Sequence, residues 1–145
     1  MKKWFKIIVI AAIIGFGGLA YIWFFVYNKP HQNIEKATPD FIISSNECYN
    51  SYTDGNSTGL SDYTGKVLQI TGVPTSIESN DSLVVLVFVF NQGMFGDEGI
   101  RCTMLPSYIE KSKNINLLTP ITIKGYCSGY NDTDVVLEQC SIIKQ

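Results

Sequence analysis

The residues able to act as nucleophiles, bases or metal ligands are few and widely spaced. Cys48, Cys102, Cys127 and Cys140 form no C-x-x-C pair, and the one histidine, His31, lies well before the first of them. Zinc sites draw on closely paired Cys and His, so this spacing gives one little support. A Cys–His nucleophile pair would have to recruit His31 from a polar stretch beside Pro30, where an imidazole reads as a solvated side chain. No glycine-rich phosphate loop follows a strand pattern, and no Gly-x-Ser-x-Gly elbow is present. Asp97, Glu98, Asp132 and Asp134 fall in loop-like stretches and read as solvated charges, not as a cation site. No catalytic residue, metal ligand set or cofactor is therefore expected, and the chain reads as a non-enzyme. What remains is binding: Phe88, Arg101 and Tyr130, with Phe90 beside them, combine rings and a cation near the ends of strand-like segments. A single-strand binding platform needs such rings beside a basic groove, and only the rings are plentiful here.

The elements that would position these groups begin with a membrane address. Lys2, Lys3 and Lys6 precede Ile7–Tyr27, a run without a charged residue. At about 1.5 Å of rise per residue such a run covers about 30 Å, the thickness of a bilayer's hydrocarbon core. A signal peptide has a shorter apolar region ending at a small-residue cleavage site. Cleavage near Gly18-Leu19-Ala20 would leave the bulky apolar stub Tyr21–Tyr27 behind, so an uncleaved anchor is the better reading. Lysines concentrated before the span favour a cytoplasmic amino terminus. The expected organisation is a tail over 1–6, a transmembrane helix over 7–27, a linker over 28–39 and one domain over 40–145.

Beyond residue 36 the chain has six basic and twelve acidic residues, a charge of −6. Affinity for nucleic acid rests largely on neutralising phosphates with Lys and Arg, so that partner is disfavoured. All four cysteines fall beyond the span, and an exported location would permit disulfides.

Within the domain, Ser44-Ser45-Asn46-Glu47 has the pattern of a helix cap, leading into a short helix towards Tyr52. The period then changes. Lys66–Val73 alternates and reads as a first strand, Ser82–Phe90 as a central one, and Ile100–Met104 as a third. Asn91–Gly99 reads as a loop whose tip exposes Met94 and Phe95. Pro106 opens a short helix, and Pro120–Gly125 and Val135–Ile143 supply two more strands, with Gly72 and Gly125 at bends. Three strands, a helix and two strands predict a mainly β fold, a five-stranded OB-fold-like barrel with one or two short helices. The last two strands, antiparallel across the turn near Asp132 and Thr133, would bring Cys127 and Cys140 close in register. A disulfide between them is the first choice of pairing.

Several of these residues carry a family likeness. Tyr27-Asn28-Lys29-Pro30-His31 after the apolar run, Tyr63–Val67 leading into Ile70–Val73, Arg101-Cys102, Ile123–Gly129 and Asp134–Cys140 resemble the bacterial tRNA_anti-like family of OB-fold proteins. The resemblance covers the anchor and roughly Ser44 to the end. It departs from the family pattern over Tyr49–Ser61, where Gly and Asn replace an alanine-rich helical stretch. It implies a bacterial protein; with the apolar run and its lysines, the expected location is the cell membrane, single-pass, with the domain on the extracytoplasmic side. The expected function is an envelope module binding a protein, peptide or glycan. The alternative is an OB-fold protein binding nucleic acid.

Overall fold

The structure, a computed structural model, describes residues 2–27, 33–55 and 58–145; His31 lies outside them. The chain forms two units, 1–32 and 33–145.

In the first unit the uncharged run folds as α1 (Lys2–Ile22), closed by a π-helical turn over Trp23–Tyr27. The stretch Lys3–Phe25 is long and apolar enough to cross a membrane. Its large apolar side chains, Trp4, Phe16 and Phe24 among them, are exposed.

The second unit starts at Asn33. Ile34 is buried, so residues 33–39, read from sequence as linker, pack on the domain. The strand β1 (Phe41–Ser44) then runs directly into α2 (Ser45–Thr53). Ser44 has an extended backbone and its Oγ accepts a hydrogen bond from the Glu47 amide at 3.1 Å, which satisfies one of the free donors of the first turn. A short α3 (Thr58–Asp62) follows.

The β-rich part comprises β2 (Val67–Gly72), β3 (Ser76–Ser79), β4 (Val84–Gly93), β5 (Gly96–Met104), β6 (Ile121–Tyr130) and β7 (Asp134–Lys144). A 3-10 turn at Pro106–Tyr108 and α4 (Ile109–Lys113) lie between β5 and β6. One sheet of seven strands results, in the order β1-β2-β6-β7-β5-β4-β3. It is not closed by hydrogen bonds, so the expected five-stranded barrel is replaced by an open order with β1 and β3 at its edges. The extra strands have identifiable causes. Pro74 has no amide hydrogen for a ladder and falls between β2, which matches the expected first strand, and β3, a short strand beyond those expected from sequence. The short run at Phe41 becomes a strand by pairing in parallel with β2, Phe41 opposite Leu68. The segment read as a loop at 91–99 continues instead as a hairpin, paired down to Gly93 opposite Gly96.

The core gathers the inward positions of these strands, with Leu68, Ile70, Leu86, Phe88, Ile100, Ile123 and Leu137 all fully or almost fully buried. From α2, Cys48, Tyr49 and Tyr52 join the same cluster. Gly72 ends β2 beneath α2, and a β-carbon there would collide with the side chain of Ser45. Gly125 lies at a register shift between β6 and β7. The β6–β7 register itself decides the cysteines: Cys127 stands opposite Leu137, and Cys140 opposite Met104 on β5. The close register expected for Cys127 and Cys140 is therefore not formed, and all four thiols are free and buried.

The contact at Gly72 gives a direct prediction. Gly72→Ala is expected to cost about 1–3 kcal/mol through overpacking, read as a lower midpoint in denaturant unfolding of the domain. Adding Ser45→Gly should recover part of the loss, because it removes the atoms the new methyl group would meet.

Candidate functional site

Within the domain, β4 and β5 form a long hairpin that presents Met94 and Phe95 at its tip. Both are 93% exposed, the most solvated large apolar side chains among the described residues. The turn itself does not require them. Its positive φ, 125°, falls on Gly96, which adopts that conformation without steric cost, so the backbone places no demand on side chains at 94 and 95. Below the tip the hairpin is cross-linked by polar side chains: Gln92 Nε2 donates to Asp97 Oδ1 at 3.3 Å and Asn91 Nδ2 to Glu98 Oε2 at 2.9 Å. The tip is thus an apolar pair on a braced arm with carboxylates at its base.

Next to this base the hairpin meets α2. Tyr49 stacks on Phe90 with ring centroids 5.2 Å apart, and its hydroxyl donates to Glu98 Oε2 at 3.3 Å. Burial, with the Glu98 carboxylate beside it, pushes the Tyr49 phenol up to about 12, so the ring acts as a neutral donor. One helical turn on, Tyr52 lies against Tyr130, centroids 5.7 Å apart. Its hydroxyl is within 3.1 Å of both Thr64 Oγ1 and Cys127 Sγ. Burial raises the Tyr52 phenol as well, and also the thiols of Cys48, Cys102 and Cys127. A protonated, buried thiol is a small core residue and a poor nucleophile.

Arg101 has its charge taken up twice. Its Nη1 contacts both oxygens of Glu78, at 3.0 and 2.9 Å, and its Nε donates to Asp134 Oδ2 at 3.1 Å. Burial alone would lower the guanidinium's pKa, and the hydrogen bonds to Glu78 and Asp134 outweigh it and leave it raised. Asp134, itself buried, also accepts from the Gly99 amide at 3.1 Å and the Thr133 hydroxyl at 3.2 Å. This network ties β3, β5 and β7 together across the sheet.

Of the residues singled out from sequence, Phe88 is core, 1% exposed, and offers no surface. Arg101 is a structural ion-pair member. Tyr130 is half-buried, bonded through its hydroxyl to the Asp132 carbonyl at 2.9 Å and packed on Tyr52. They do not converge on one site. Sequence reasoning missed Tyr49, whose place beside Phe90 and Glu98 depends on how α2 lies on the sheet. Among the described residues, no three His, Cys, Asp or Glu side chains are grouped to hold a metal ion.

The geometry defines a small β-rich domain, preceded by a long apolar helix, with aromatic contacts between α2 and the sheet and ion pairs within it. Matched over residues 1–142 by the tRNA_anti-like family model, the chain belongs to that family, an OB-fold family. A crystal structure of a lipoprotein from Klebsiella pneumoniae, whose name carries nucleic-acid binding as a conjecture, aligns with a TM-score of 0.48 at 18% identity, covering 80% of this chain and 100% of that one. No curated protein matches the chain.

The ion-pair network predicts the behaviour of an arginine variant. Arg101→Met should lower the domain's unfolding free energy by about 1–2 kcal/mol, because a buried carboxylate loses its countercharge. It should leave the association with any single-stranded oligonucleotide unchanged, since the guanidinium faces protein carboxylates. Denaturant melts together with oligonucleotide titrations of both proteins check the two halves separately.

Proposed function

We propose that this chain is a membrane-tethered, non-catalytic OB-like module that binds a protein or peptide partner through the β4–β5 hairpin. The observation that carries the reading is the tip itself: two large apolar side chains, 93% exposed, on a braced arm whose turn does not need them. Solvated apolar groups in that setting mark interaction surfaces, and apolar anchors filling a partner's pocket supply most of a typical interface's energy. In this reading Val67–Ser79 acts as one strand bent at Pro74. Its first half, β2, pairs with β6 and its second half, β3, with β4, which brings the fold to the five-strand OB arrangement with β1 added at an edge. A glycan is a weaker candidate for the tip, because sugar recognition needs convergent polar groups that Met94 and Phe95 do not supply.

Nucleic acid, suggested by the family's name, is the second reading. Against it stand the domain's charge of −6 and the pairing of Arg101 with two carboxylates, which leaves little positive potential for a phosphate backbone.

The test places a benzophenone amino acid at position 95 in the full chain, in native membranes. A discrete protein adduct is expected from position 95 and not from the control position 118, which is also highly exposed, and Met94→Ser should reduce its yield. Absence of a position-specific protein adduct, or adducts only to lipid or nucleic acid, overturns the reading. A salt-sensitive, submicromolar complex with single-stranded oligonucleotides would favour the second reading instead.

The proposed orientation follows from Lys2, Lys3 and Lys6 before the apolar run. Protease added to intact spheroplasts should digest the domain while an amino-terminal tag survives; a protected domain reverses the assignment.

A further inference from the structure

We propose that Lys124 fixes the length of the chain's membrane tether by clasping the segment 33–37 to the domain. Lys124 projects from β6 on the face opposite the core, yet it is only 7% exposed. A buried ammonium is costly unless its donors are satisfied. Here Nζ donates to the carbonyls of Glu35, at 2.7 Å, and Ala37, at 2.8 Å, so what covers the lysine is also what it holds. Two further features fasten the same segment: Ile34 is 3% exposed, and the Tyr108 hydroxyl donates to Glu35 Oε1 at 2.9 Å. Within it, the Lys36 and Ala37 amides both bond to the Asn33 carbonyl and shape a turn. At the end of the segment, Asp40 exchanges two bonds with Val67: its amide to the Val67 carbonyl at 2.8 Å, and the Val67 amide to its Oδ2 at 2.9 Å.

The consequence is one of chain length. Residues 28–39 read from sequence as a twelve-residue linker. With 33–39 docked, only 28–32 separates the helical segment ending at Tyr27 from the domain. Fully extended, that connection reaches at most about 20 Å, against about 40 Å for the undocked stretch. The clasp thereby about halves the maximum reach of the tether. This consequence rests on the membrane-tethered reading; the clasp itself does not.

Hydrogen exchange of the full chain in detergent tests the clasp independently of that reading. The wild-type peptide covering 33–40 should be protected. Lys124→Met, which keeps most of the stem and removes the donors, should speed its exchange by at least roughly tenfold, while β4 and β5 peptides and a Lys144→Met control stay unchanged. If Lys124→Met loosens the whole sheet, Ile34→Ser, which leaves β6 intact, decides: accelerated exchange confined to 33–40 supports the clasp. Rapid exchange of this peptide in the wild type, or undiminished protection in both variants, overturns it. In vesicles, energy transfer from a donor on the domain to an acceptor in the lipid should fall in Lys124→Met. Unchanged transfer despite a released segment defeats the tether-length claim while leaving the clasp standing.

Discussion

The arrangement of the domain hangs on a missing hydrogen. Pro74 cannot donate to a ladder, so the strand arriving from Lys66 stops at Gly72 and restarts at Ser76. The first piece pairs with β6 and the second with β4. One short segment therefore supplies strands on both sides of the sheet order, and the long-range pairing of β5 with β7 in parallel links the two halves between. Gly72 allows the turn at this break because α2 passes so close that only a hydrogen fits.

Charge in this domain is spent on cohesion. Arg101 bridges Glu78 and Asp134, Lys124 is used on backbone carbonyls, and Lys113 pairs with Glu110 within α4. With these three cations occupied and a net charge of −6, the domain has little of the positive charge on which phosphate binding rests. The apolar tip is the complementary observation. Met94 and Phe95 are almost wholly solvated, and the hairpin beneath them is cross-linked by side-chain hydrogen bonds.

Local chemistry was legible in the sequence wherever a residue acts on its near neighbours. Ser44 caps α2, Asn80 Oδ1 organises the turn before β4 by accepting from the Ser82 and Leu83 amides, and Asn131 does the same before β7 with Thr133 and Asp134. The apolar helix, the main strands and the exposed hairpin tip could also be read, since each rests on hydrophobic period or on glycine placement. Candidate site residues fared differently. Phe88 and Phe90 are two positions apart on one strand, and the register shift after Val89 helps separate a core ring from a rim ring; nothing in their types distinguishes them.

The sequence by itself determined that an apolar helix precedes one small, acidic, mainly β domain, because length, charge and periodicity are properties of the chain read in order. Tertiary structure decided what depends on pairing between distant segments. It set the count and order of the strands, the register that keeps Cys127 from Cys140, the neutralisation of Arg101 by carboxylates 23 and 33 residues away, and the burial of Lys124 under residues 33–37. No local pattern records which of the available carboxylates, carbonyls or strands the fold will bring to a given residue.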